Sequence, residues 1–474
     1  EAGRSFLLHL KPNEAAPARL SWQIHNASAD EHDTRLDRHY VAWMQADGAL
    51  RVEQSQPSRL AECIDVLHRV VGLPIDTDAS RWVMGLVAAL YAVALVSGVI
   101  VLLPTLVKDL FALRLGRNLK RMWLDAHNVV GIVSLPFHLV MALTATVFAF
   151  HDGIYALQDK MFHGGRLAAA FGQRPGATVP VAPRDPAAML APAVLVAQAK
   201  ALSPTFEPQA LQYQQVTGPR AVVRIWGHDD TAISPRAMGG FVALDPYSGR
   251  VTTADYLPGR QGAATATLSS FFALHFATYG GTPVRWMYFL LALAGAWLFY
   301  SGNLLWIESR RKAQRRGGDA PQQRRSAYAM AAATAGVCLG CVCGISLAIV
   351  ASRWLHGRVA DPGSLPLRIY YMVFLASVGW AFLRGGARAS GHLLWFAASA
   401  TLAIPLTSLL AWLFPGAGLA AHWSAEALGV DLTALAGAAC FARMARAAAW
   451  RAKHGPADSV WSARRAPEDA EAPL

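Results

Sequence analysis

Four histidines stand where an imidazole is costly unless it does chemistry. His127 and His138 fall in one apolar stretch, within Leu124-Asp125-Ala126-His127-Asn128 and Leu135-Pro136-Phe137-His138. Eleven residues separate them, so on one α-helix they lie within about 20° of each other and ~16 Å apart along the axis. His68 and His275 stand just outside two other apolar stretches, in Leu67-His68 and Leu274-His275. Ionisable groups inside a bilayer are expensive and mark functional paths or pairs. Haem iron takes two axial imidazoles from facing helices, and the second ring nitrogen of each can donate to an oxygen. Iron ligation by His68, His127, His138 and His275 is therefore the chemistry this pattern can do.

Each histidine also has a plainer reading. His127 can be a solvated residue at the membrane boundary, and His138 can satisfy the carbonyl that Pro136 frees. His68 and His275 can be interfacial residues. His151, before Asp152-Gly153, reads as a cap or loop residue, and His392 opens a span far from the others in sequence. Cys338-x-x-Cys341-x-Cys343 sits in a run of Ala, Gly and Val without a His or acidic partner, which suits helix–helix contact better than a metal.

An internal repeat strengthens the outer pair. Leu67-His68, Arg81-Trp82 and Ser97-Gly98 recur as Leu274-His275, Arg285-Trp286 and Ser301-Gly302. The step from Arg-Trp to Ser-Gly is 16 residues in both copies. Arg81 and Arg285 can simply anchor helix ends. Beside a haem they are suited to its propionates, because guanidinium binds carboxylate bidentately.

These residues need a membrane to hold them. The chain has 474 residues, 54% hydrophobic and 16% charged, against about a quarter charged in soluble domains. A formal net charge of +12 raises nucleic-acid binding, but the basic residues cluster in short blocks beside apolar segments. That distribution excludes nucleic acid as a partner and points to lipid. Five cysteines show no disulfide framework. Seven stretches approach the ~20 apolar residues of a membrane span: 81–106, 126–150, 284–307, 328–355, 367–382, 392–414 and 425–449. Simple alternation puts four basic clusters on one side, which the positive-inside rule makes the cytoplasm. They are Lys108, Arg114, Arg117, Lys120 and Arg121; Arg310, Arg311, Lys312, Arg315, Arg316, Arg324 and Arg325; Arg384 and Arg388; and Arg443, Arg446, Arg451 and Lys453.

The expected fold is an all-α polytopic membrane bundle of about seven spans, with a small α+β lobe in the periplasm. Strand-like stretches at 20–24, 40–44, 221–226 and 241–244 build the lobe, and Asp245-Pro246-Tyr247-Ser248-Gly249 is turn chemistry between strands. The organisation reads as a periplasmic segment (1–80), a first helix pair with its basic loop (81–150), the periplasmic lobe (151–280) and a third span (281–312). A four-helix membrane region (313–450) and a cytoplasmic tail (451–474) follow. Glu1 falls inside what reads as an extracytoplasmic segment, so one further N-terminal span is expected ahead of it.

The block from Leu124 to Gly131 and Leu135 to His138 resembles the PepSY-associated transmembrane family. So do Leu67-His68, Leu274-His275 with Gly280-Gly281 and Arg285-Trp286, and the Ser-Gly pairs. The resemblance spans about 60–312, and the strand turn at Asp245 looks like that family's periplasmic element. Ala145 stands where the family often has Gly after Thr144, and the family's first helix, with its own histidine, has no counterpart here. The resemblance implies an inner-membrane ferric-siderophore reductase holding two b haems by bis-histidine ligation. His68 and His275 would hold the outer haem, and His127 would pair with a histidine of the expected further span. His138 would serve whichever iron lies at its depth. Electrons would come from a cytoplasmic or quinol donor and pass to a periplasmic ferric siderophore. Two other readings stay open: a cofactor-free permease or accessory subunit, and a quinol-linked cytochrome b with another periplasmic acceptor.

Overall fold

The computed structural model describes residues 4–11, 18–25, 37–55, 58–70, 72–73, 78–105, 119–165, 183–236, 239–314, 323–356, 358–359, 364–419, 421–456 and 459–463. Several basic residues on which the orientation rests, Lys108, Arg114, Arg117, Arg315 and Arg316, lie outside them. The chain forms two compact units. One comprises Glu1–Pro57, Arg69–Leu110 and Gly131–Gly295, and the other Ser58–His68, Phe111–Val130 and Ala296–Leu474.

The first unit carries an eight-stranded antiparallel sheet in the order β4-β3-β2-β1-β5-β6-β7-β8. The N-terminal strands are β1 (Phe6–His9), β2 (Leu20–Ile24), β3 (Arg38–Met44) and β4 (Leu50–Ser55). The later ones are β5 (Glu207–Gln214), β6 (Val222–His228), β7 (Gly240–Leu244) and β8 (Val251–Thr253). Two stretches remote in sequence thus form one sheet, joined where Leu8 pairs with Leu211 and Phe6 with Tyr213. Side chains alternate across a strand. Leu211, Tyr213, Val223, Ile225, Val242 and Leu244 therefore share one face, where they pack with Leu195 and Ala199 of a covering helix, Pro192–Leu202.

The Asp245 turn is held by a dense set of polar contacts. Arg184 grips both carboxylate oxygens of Asp245 at 2.9 and 3.2 Å and lies 3.8 Å over the Tyr247 ring. The Tyr247 and Ser248 amides donate to Oδ1, and Gly249 closes the turn at φ +71°. Burial alone would raise the Asp245 pKa. Arg184 and the two amides outweigh it and hold the carboxyl well below the usual carboxylate range.

Among the described residues six helices are long and apolar enough to cross a membrane, and a pair of helices bent by 67° brings the number to seven if the pair counts as one span. The protein is therefore a multi-pass membrane protein. In chain order the helices are α1 (Leu60–Arg69), α2 (Asp78–Leu102), α3 (Leu119–Val133), α4 (Leu135–Ala149), α5 (His151–Gln158) and α6 (Pro192–Leu202). They continue with α7 (Ala263–Phe276), α8 (Gly281–Gln314), α9 (Arg325–Leu355), α10 (Leu365–Arg384), α11 (Gly386–Leu413) and α12 (Ala425–His454). The bent pair is α3 and α4, which meet at Ser134 at 67°. Pro136 follows directly; proline lacks the N–H an uninterrupted helix needs and is tolerated only in a first turn. A single straight helix carrying both His127 and His138 on one face is thereby corrected.

In the second unit α9 to α12 pack through small residues. Gly336, Gly340 and Gly344 recur every fourth position, and each lies against α10. β-carbons there would stand 2.9 Å from Val378 Cα, 3.1 Å from Ser377 Cβ and 2.8 Å from the Tyr370 ring. Close backbone approach is how membrane helices associate, since lipid supplies no hydrophobic drive between them. Cys343 packs on another face of α9, its Sγ 3.9 Å from the Leu393 carbonyl of α11. Polar ties add to it. Arg353 donates to Ser408 at 2.7 Å and Ser408 to Asp431 at 2.9 Å, while Asn303 of α8 reaches Thr334 of α9.

Two outcomes follow for stability. Gly340→Leu should cost about 1–3 kcal/mol through overpacking, read by unfolding of the full chain in detergent. Gly379→Ala, at a glycine with nothing within 4 Å, should be neutral. Asp245→Asn should cost about 1.5–3 kcal/mol at neutral pH. A carboxylate with a depressed folded pKa contributes fully above its unfolded value, near 3.9, and loses that contribution as pH falls through the folded one. The gap between Asp245→Asn and wild type should therefore close on acidification below about pH 4.

Candidate functional site

His138 is the most enclosed of the four histidines. It lies one turn into α4 and is 2% exposed. Its Nε2 is buried with no hydrogen-bond partner. Phe137 meets the ring edge-on at 5.2 Å and Tyr91 of α2 at 6.0 Å. A β-carbon at Gly295 of α8 would stand 2.8 Å from His138 Cε1. Tyr91 and Gly295 each come ten residues after the arginine of an Arg-Trp pair. The two copies of the repeat thus present equivalent positions to the same imidazole, a ring in one and bare backbone in the other.

His275, near the end of α7, belongs to the same unit. Its Nδ1 lies 2.9 Å from Thr144 Oγ1, six residues along α4 from His138. The Thr144 hydroxyl proton goes to the Val140 carbonyl at 2.7 Å. A hydroxyl has one proton, so the His275 Nδ1–H must be the donor, which makes Nε2 the lone-pair nitrogen. Phe148 packs edge-on against the ring at 5.1 Å.

His127, in the second unit, repeats this arrangement. Its Nδ1 is 2.8 Å from Ser301 Oγ, whose own proton goes to the Leu298 carbonyl. With the serine proton on that carbonyl, 3.2 Å away, the ring donates from Nδ1 and keeps the lone pair on Nε2. Gly302 leaves room for the ring, since a β-carbon there would be 3.3 Å from its Cε1. Trp297 flanks it at 6.3 Å. Imidazoles that ligate metal are oriented in this way, by donating the other ring N–H to a fixed oxygen.

The remaining candidates are placed differently. His68 is exposed at the end of α1 in the second unit. Arg81 is half-buried in α2 and Arg285 exposed in α8. His151 opens α5, with Nδ1 on the Phe148 carbonyl and Nε2 near Asp152, and His392 lies beside Trp380. The structure brings His275 of α7 to Thr144 of α4, the helix that carries His138, and places His127 and His68 in the other unit. Among the described residues no three His, Cys, Asp or Glu side chains converge as a metal-ion site.

A cavity of about 550 Å³ in the first unit is lined by His228, Asp229, Asp230, Tyr279, the Gly280-Gly281 backbone and Arg285, among others. Burial would raise the Asp229 pKa, but hydrogen bonds from Thr231 and Thr205 outweigh it and keep the carboxyl below its ordinary value. This cavity, Thr144 and Gly295 escaped the sequence reading. Ser301-Gly302 showed up only as a repeat element. Its spacing said nothing of which histidine the serine holds.

Apolar spans together with an α+β lobe, and histidines held by hydroxyls of neighbouring helices, define a polytopic membrane protein. The model of the PepSY-associated TM region matches residues 7–309, more than half of the chain. The protein belongs to that family. No curated protein matches it.

Gly295→Ala should strain the His138 contact and destabilise the protein by about 1–3 kcal/mol. Gly98→Ala, with nothing within 4 Å, should be neutral or slightly stabilising, because alanine is the better helix former. Parallel unfolding titrations check the pair.

Proposed function

We propose that this protein is an oxidoreductase of a bacterial inner membrane that holds haem b and delivers electrons to a ferric siderophore in the periplasm. The observation that carries this reading is the His138 Nε2, buried in a membrane span without a partner. An unpaired polar atom in hydrocarbon costs about 1–3 kcal/mol. A group that binds that nitrogen would remove the penalty.

The donor set fits haem. His127 and His275 each have Nδ1–H engaged by a hydroxyl and the lone pair on Nε2, the state an axial ligand needs. His138 offers the same nitrogen, and aromatic rings close its flanks. His68 is the fourth expected ligand. Arg81 and Arg285 head the two repeated spans, where guanidinium suits propionate. Haem b held by these imidazoles would supply a one-electron redox centre.

Around that centre the chain's own residues bind, orient and exclude water. Thr144 and Ser301 fix the tautomers of His275 and His127. Gly295 and Gly302 let α8 approach the rings closely. This reading assigns the basic clusters to the cytoplasm and, with them, the sheet lobe to the periplasm. Its cavity combines carboxylates with a guanidinium and suits a polar acceptor. The ferric siderophore is chosen from the family resemblance. Hard Fe(III) prefers the oxygen donors of such chelators, and reduction to Fe(II) loosens their hold.

The full chain, produced with ample haem and purified in detergent, should be red, with a Soret band and an α-band that appears on dithionite reduction. His138→Ala and His275→Ala should each diminish the α-band. Colourless wild-type protein overturns the reading in favour of a cofactor-free membrane subunit. Coloured protein that fails to reduce ferric trihydroxamates keeps the haem and rejects the acceptor.

A further inference from the structure

Tyr288 joins the cavity to His275. Its hydroxyl donates to the Leu274 carbonyl at 2.7 Å. Leu274 lies in the last turn of α7, where carbonyls have no partner within their own helix. The helix closes just beyond, at left-handed Ala277 (φ 51°), with the Ala277 and Thr278 amides both on the Ala273 carbonyl. The Tyr288 oxygen is also 3.1 Å from the Tyr279 hydroxyl. Because the single Tyr288 proton goes to Leu274, Tyr279 must be the donor in that contact. The result is a directed chain from Tyr279, in the cavity wall, through Tyr288 to the carbonyl next to His275.

His275 is therefore held at two points. Thr144 fixes the ring at Nδ1, and Tyr288 fixes the backbone one residue earlier. The Tyr288 ring also meets Phe137 edge-on at 5.2 Å, and Phe137 meets His138 at the same distance. One side chain thus borders the surroundings of both His275 and His138. Hydrogen bonds in series polarise one another, so a ligand with a donor group that reaches the Tyr279 oxygen strengthens the whole chain.

We propose that Tyr288 is a positioning residue for His275, and that Tyr279 makes the cavity the outer end of the same hydrogen-bond chain. The ligand class that fits is a polar molecule bearing both acceptors, for Arg285, and donors, for Tyr279 and the exposed carboxylate of Asp230. The electronic part of this proposal rests on the haem reading; the contact itself does not.

Tyr288→Phe keeps the ring on Phe137 and removes only the hydroxyl. Diethyl pyrocarbonate modification of His275 in the haem-free full chain, read by peptide mass, should then be about fivefold faster, the loss of one net hydrogen bond of ~1 kcal/mol. Tyr279→Phe leaves the Tyr288–Leu274 bond in place and should give a smaller rise. It also serves as the test if Tyr288→Phe fails to fold. In the haem-loaded chain the midpoint potential of Tyr288→Phe should rise by about 40 mV, a fivefold change in the redox ratio at 59 mV per tenfold. Unchanged His275 reactivity in both variants overturns the proposal. Raised reactivity with an unmoved potential makes Tyr288 a helix cap only and overturns it too. Wild-type protein that binds no haem fails the haem reading alone, and the reactivity series still decides this one.

Discussion

An imidazole packed among apolar side chains has two nitrogens to satisfy, and much of this structure is arranged around that constraint. At His275 and His127 the solution is the same: a hydroxyl whose own proton is bound to its helix accepts from Nδ1. At His138 the ring is walled in by Tyr91, Phe137 and the bare backbone at Gly295, and Nε2 stays without a partner. The helices follow from these rings. α4 carries His138 and Thr144, α7 brings His275 to it, and α8 passes close because glycines face two of the histidines.

The sheet is tied to this centre through aromatic and cationic contacts. Phe241 stacks on Tyr256, Arg236 lies over both Tyr256 and Phe272 at about 5 Å, and Phe272 packs on Phe148, which borders His275. A lobe built from two distant stretches of chain thereby reaches the membrane helices by side-chain packing as well as by its covalent links. The cavity opens within that same unit, so the position of the strands shapes the surface available to a ligand.

The C-terminal helices lie beyond the family match and obey different physics. They contribute no histidine to the candidate set other than His392, and they pack through glycine rows and hydroxyl-bridged charges. Asn303 and Thr334 join α8 to α9 two residues from Ser301, which holds His127. The region thus shares a helix with one of the imidazole sites while carrying none of the repeat.

Several features were legible from residue types alone. Apolar runs of the right length mark the spans, because a bilayer imposes one thickness on every helix that crosses it. Alternating patterns and the Asp245 turn mark strands, and the repeat singles out His68 and His275. Local spacing could not foresee the break at Ser134, where Pro136 and the packing of α4 override the ideal helical wheel. Nor could it show that Thr144 and Ser301 are the partners of His275 and His127, 131 and 174 residues away. Which hydroxyl meets which ring, where a glycine opens space for it, and how Tyr288 reaches back to Leu274 are long-range matters of three-dimensional packing. The sequence by itself determined the membrane class and the residues capable of ligation. Tertiary structure alone decided their neighbours and their grouping, because hydrogen-bond geometry depends on distances in space that no local periodicity encodes.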